Sequence, residues 1–119
     1  MTEYPLAPHL NRNTEVLTVT EILHPGNFRP EMSLARIELD GENVKNRNLE
    51  ASSLYIVVDG EGKFTIFGQK GEKDKIIKVK KGDSVFIAKG TWYQDSGNMT
   101  MYSICSPAWD GKKVEIAAA

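Results

Sequence analysis

Apolar residues fall in short runs along this chain, and turn-forming residues punctuate them. The densest stretch spans 53–67: Ser-Leu-Tyr-Ile-Val-Val, then Asp-Gly-Glu-Gly, then Lys-Phe-Thr-Ile-Phe. Both apolar runs are rich in β-branched and aromatic residues. Asp59-Gly60 between them predicts a tight hairpin, because glycine tolerates the positive φ of such turns. Apolar side chains on nearly every position predict strands covered on both faces, as in a barrel or sandwich.

The flanking segments follow the same rhythm. Residues 16–23 and 32–39 predict two strands, broken by His24-Pro25-Gly26-Asn27 and Pro30. Residues 42–52 are polar and read as irregular. Residues 75–79 alternate, with Ile77 and Val79 on one face and Lys78 on the other. Further strands are predicted at 84–88, 91–95 and 99–105, with turns at Lys89-Gly90 and Gly97-Asn98, and 114–116 suits an edge pairing. No segment carries the i, i+3, i+4, i+7 spacing of a helix. Turn signals every 8–12 residues or so predict a small all-β domain. The expected organisation is an irregular N-terminal arm over 1–15 and a single barrel over 16–116.

Composition narrows the options. At 119 residues and 40% hydrophobic content, one domain with a real core is expected. The net charge of −1 offers no field for nucleic acid or an anionic membrane, so neither is an expected partner. Lys70, Lys73, Lys75, Lys78, Lys80 and Lys81 are interleaved with acids, as on a solvated edge. The single Cys105 cannot pair within the chain, which suits a reducing, cytoplasmic setting. No basic start followed by an apolar stretch suggests a signal peptide, and no apolar run reaches the roughly 20 residues of a membrane helix. His9 and His24 stand alone in irregular segments, without the spacing of metal ligands.

The order of turns and strands from Gly41 to Trp109 resembles the cupins, which are double-stranded β-helix (jelly-roll) barrels. The first cupin motif runs Gly, five residues, His-x-His, three or four residues, Glu, six residues, Gly; Gly41 and Gly60 stand at the matching separation. The second runs Gly, five residues, Pro-x-Gly, two residues, His; Gly82 and Gly90 match, while the usual Pro is Ala88. The resemblance implies an all-β cupin barrel, commonly paired as a homodimer. It also locates a departure. The metal-ligand positions of the family fall on Arg47, Leu49, Ser53 and Tyr93, or on Asn46 and Asn48 for the first pair if the spacer is one residue longer. None of these side chains suits Fe, Mn, Ni or Zn, so no metal or other cofactor is expected.

A barrel without its metal still has a mouth. Strand parity groups Ser53 with Tyr55, and Tyr93 with Asp95, while Arg47 and Leu49 approach from a neighbouring strand. Together these six residues form the candidate ligand site. Arg47 would clamp a carboxylate or phosphate, and Tyr55 and Tyr93 would stack on or hydrogen-bond a ring. Core roles for Tyr55 and Tyr93 and a solvated Arg47 are the plainer readings. Trp92 is expected on the face opposite Tyr93, and Trp109 over a barrel end or subunit interface. The expected function is binding of a small acidic or sugar-like molecule. The alternative is a metal-independent isomerase or epimerase, with Asp95 as base and Tyr93 as acid.

Overall fold

The computed structural model describes residues 9–118. Nine strands follow in order among them: β1 (Leu10–Asn13), β2 (Leu17–Leu23), β3 (Ser33–Glu42), β4 (Asn46–Asn48), β5 (Ser52–Ile66), β6 (Lys75–Lys80), β7 (Ser84–Ile87), β8 (Tyr93–Ser106) and β9 (Val114–Ile116). All pairings are antiparallel, and the sheet curls upon itself into an all-β barrel. No described helix is long and apolar enough to cross a membrane. The segment read as an irregular arm contains β1, which pairs with β2 along its whole length. Residues 1–8 of that arm lie outside the described residues.

β8 is the spine. It pairs with β3 on one side and with β5 along its full length on the other. The predicted hairpin at Asp59-Gly60 does not form, and β5 runs straight through it as one long strand. A bulge between Val57 and Asp59 takes its place. The Val57 backbone there turns to the β6–β7 corner: its N–H donates to the Asp83 carbonyl at 2.9 Å and its carbonyl accepts from Gly82 N–H at 2.8 Å. Gly60 has φ 77°, and a Cβ on it would stand 2.2 Å from the Asn98 carbonyl oxygen. That glycine serves a close approach to β8 rather than a reversal. The turn predicted at Gly97 likewise lies inside continuous β8, opposite Gly62.

The bulge also resets which side chains face inward. Ser53, Tyr55 and Val57 are buried before it; Phe64, of opposite parity, is buried after it. An extra residue on one strand flips every later side chain to the other face. The core consists of Val19, Ile37, Leu39, Val57, Phe64, Val79, Val85, Ile87, Met99 and Met101 around Tyr55 and Tyr93. The expected covering of both faces holds only in part. The inward residues of β5 are buried, whereas Leu54, Ile56 and Val58 on the outer face are half-buried. His24 is buried in the turn after β2, where Nδ1 accepts from Gly26 N–H at 3.2 Å.

Candidate functional site

Period-two alternation along β8 turns Tyr93, Asp95, Met99, Met101, Ser103 and Cys105 into the barrel. The methionines close one part of the interior with Phe64 and Leu39. The polar members fall toward the other, where Ser53 and Tyr55 of β5 sit opposite Cys105 and Ser103. The result is a cavity of about 230 Å³. Its wall includes Ser53, Tyr55, Tyr93, Asp95, Ser103 and Cys105, the amides Asn43, Asn46 and Asn48, aliphatic Val19, Ile37 and Ile87, and Arg12 and Trp109.

Its polar groups are tied to one another. The Tyr55 and Tyr93 hydroxyls share a hydrogen bond of 2.6 Å. Asn46 lies on the cavity wall with them, its Nδ2 donating to the Val44 carbonyl at 2.9 Å. Phe64 packs under both rings, with centroids 5.2 Å from Tyr55 and 6.3 Å from Tyr93. Burial and the neighbouring ionisable groups push both phenols well above their ordinary value of 10.0. They stay protonated across the physiological range, so they act as hydrogen-bond donors and acceptors.

Asp95 is 2% exposed. Asn43 holds it twice: Nδ2 donates to Oδ1 at 3.0 Å, and Asn43 N–H donates to the Asp95 carbonyl at 2.9 Å. Burial raises the carboxyl above its ordinary 3.8, and the Asn43 hydrogen bond offsets only part of that rise. Cys105 Sγ lies 3.3 Å from Ser53 Oγ and 3.6 Å from Ser103 Oγ. Trp109, whose backbone N–H donates to Ser33 Oγ at 2.9 Å, lines one part of the cavity.

Four of the six residues expected from the sequence therefore meet: Ser53, Tyr55, Tyr93 and Asp95. Arg47 and Leu49 do not. β4 points Asn46 and Asn48 inward, so the residues of opposite parity face out. Arg47 spends its Nε and Nη2 on Glu115 Oε1, at 3.0 and 2.8 Å, and its guanidinium lies 4.6 Å from the Trp92 ring centre. Leu49 is 47% exposed and lines no part of the cavity. The longer motif spacer, which puts Asn46 and Asn48 at the first pair of positions, agrees with these faces. Arg12, Asn43 and Ser103 carry no motif. Only the parity of β8 pointed to Ser103.

The cavity offers amides, hydroxyls, phenols, one thiol and one carboxylate, with no imidazole. Among the described residues no three His, Cys, Asp or Glu side chains gather closely enough to hold an ion.

The chain matches no protein-family profile and no curated protein. Solved structures do match. A Streptomyces Pac13 variant with uridine superposes with TM-score 0.79 at 18% identity, covering 99% of this chain and 92% of that one. A further structure of Pac13, described as a unique nucleoside dehydratase, gives TM-score 0.78 at 18% identity, over 98% and 91% of the two chains. Bacillus subtilis oxalate decarboxylase at pH 4.6 gives TM-score 0.79 at 16% identity over 91% of this chain and 30% of the larger one. At such identities the likeness speaks for the architecture alone. Strand order, curled sheet and superposition agree on one description: this polypeptide has the cupin fold.

Proposed function

We propose that the barrel binds one small, hydroxyl-rich organic molecule, sugar-like or nucleoside-like or a small acid, in the cavity beside Tyr93 and Asp95. The observation that carries this reading is the convergence of Ser53, Tyr55, Tyr93 and Asp95 with three asparagine amides on one cavity. Aliphatic walls with a few placed polar groups are the usual makeup of a ligand site. At about 230 Å³ the space lies below the roughly 300 Å³ where drug-sized pockets begin, so the bound part is small. The uridine held by Pac13, a neighbour in architecture, is a molecule of this kind.

Catalysis without a metal is the second reading, and the observation favouring it is the raised pKa of buried Asp95. A carboxyl in that state suits proton transfer nearer neutral pH. The phenols argue the other way. Their pKa is so high that Tyr93 is a poor proton donor, although it remains a good hydrogen-bond donor. Binding is therefore the main reading. A cytoplasmic setting accords with the lone thiol at the cavity wall, and pairing of two copies through the outer sheet face accords with the resemblance.

The test is isothermal calorimetry with a panel of monosaccharides, nucleosides and small carboxylic acids. At least one should bind, and Tyr93→Phe should weaken it about tenfold, the effect of removing one well-placed hydrogen bond. No binding across the panel sinks the reading. Conversion of the bound molecule into product moves the protein to the second one.

A further inference from the structure

Among the described residues, Arg12 is the sole cationic side chain on the cavity wall. It projects from the edge strand β1, and its guanidinium carbon lies 3.5 Å from the centre of the Trp109 ring. Stacking on an indole fixes the guanidinium plane and leaves its N–H edges to recognise a partner. Its counter-charge is Glu21, whose Oε2 stands 3.3 Å from Nε. Charge is thereby balanced, yet Arg12 Nε is buried without a hydrogen bond. A buried donor left unmatched is costly. Here it belongs to a held cation at the rim of a polar cavity.

We propose that Arg12 selects an anionic ligand: its guanidinium takes a carboxylate or phosphate at the cavity rim, while the uncharged part of the same molecule reaches Tyr93 and Asp95. This rests on the proposed ligand-binding function and names the class of molecule for that cavity. Guanidinium and carboxylate or phosphate match in shape and charge, in two parallel hydrogen bonds. Glu21 is the competitor: it must share Arg12 with the incoming anion.

The test uses matched probes measured by calorimetry: glucose against glucuronate, and uridine against uridine 5′-monophosphate. The wild-type protein should bind the charged member of at least one pair about tenfold tighter, and the pair that shows the preference tells carboxylate from phosphate. Arg12→Gln should erase the preference. Arg12→Lys should retain part of it, since charge survives without the planar fork. Glu21→Gln should widen it. Arg47→Gln, a change outside the cavity, should leave it intact. Thermal melts of each variant confirm that it is folded. Equal binding of neutral and charged probes, or a preference that survives Arg12→Gln, overturns the role of Arg12 while ligand binding itself stands. Binding of no probe removes the ligand cavity and Arg12's role with it.

Discussion

Tyr55 and Tyr93 each bury a hydroxyl, and each depends on the other for a partner at 2.6 Å. Replacing Tyr93 by Phe should cost about 1–3 kcal/mol, because the Tyr55 hydroxyl is left stranded. Tyr55→Phe should cost a similar amount, since it strands the Tyr93 hydroxyl in turn. The double variant should cost less than the two losses added, a coupling that chemical denaturation of all four proteins measures. Asp95 carries a second prediction. An Asp whose folded pKa is raised holds its proton more tightly folded than unfolded. Its contribution is favourable in acid and is lost as pH climbs from about its ordinary 3.8 through the raised folded value. Asp95→Asn should therefore be more stable than wild type at pH 7, and the gap should close below pH 3.8. Melting temperatures across that range check the sign. These residues were readable from parity, because Ser53–Tyr55 and Tyr93–Asp95 lie two apart within strands. Arg47 and Leu49 were misread by one position, since the polar segment 42–52 has no apolar alternation to set its faces. Arg12 on Trp109 joins opposite ends of the chain, and no local pattern announces such a contact.

At the level of elements, the two long strands β5 and β8 decide the shape. Their glycines mimic turn signals in the sequence, but the structure uses Gly60, Gly62 and Gly97 to let two bent strands touch. A Cβ on Gly97 would lie 2.5 Å from Gly62 Cα, and its φ of 136° disfavours any other residue. Gly71 also has positive φ, at 82°, yet nothing lies within 4 Å of its missing Cβ. Gly97→Ala should destabilise by about 2–4 kcal/mol, through clash and strain together. Gly71→Ala should cost only the backbone term, roughly 1–2 kcal/mol. Urea titration of both separates close approach from conformational freedom. Equal losses would mean that the strand crossing is looser than described. Sequence alone could not choose between a hairpin and a bulge at Asp59-Gly60, because a positive-φ glycine serves both and the choice depends on β8, about 40 residues downstream.

For the molecule as a whole, turn spacing and the absence of helical periodicity made the all-β barrel legible early. The outer face was less so. Leu34, Ile104, Leu54 and Phe86 stand side by side across β3, β8, β5 and β7, and Phe86 is 64% exposed. A second copy of the chain laid on this row would form the proposed homodimer. Phe86→Glu should then yield monomers in sedimentation velocity at concentrations where the wild type is dimeric; a wild-type monomer would refute the pairing. The claim on which the functional account turns is that the barrel interior receives a ligand. A crystal structure of the protein soaked with the tightest binder from the calorimetric panel tests it most directly. The account predicts density inside the cavity, with ligand oxygens within hydrogen-bond reach of Tyr93 and Asp95. Density for the ligand on the outer surface, with the interior empty, would contradict it.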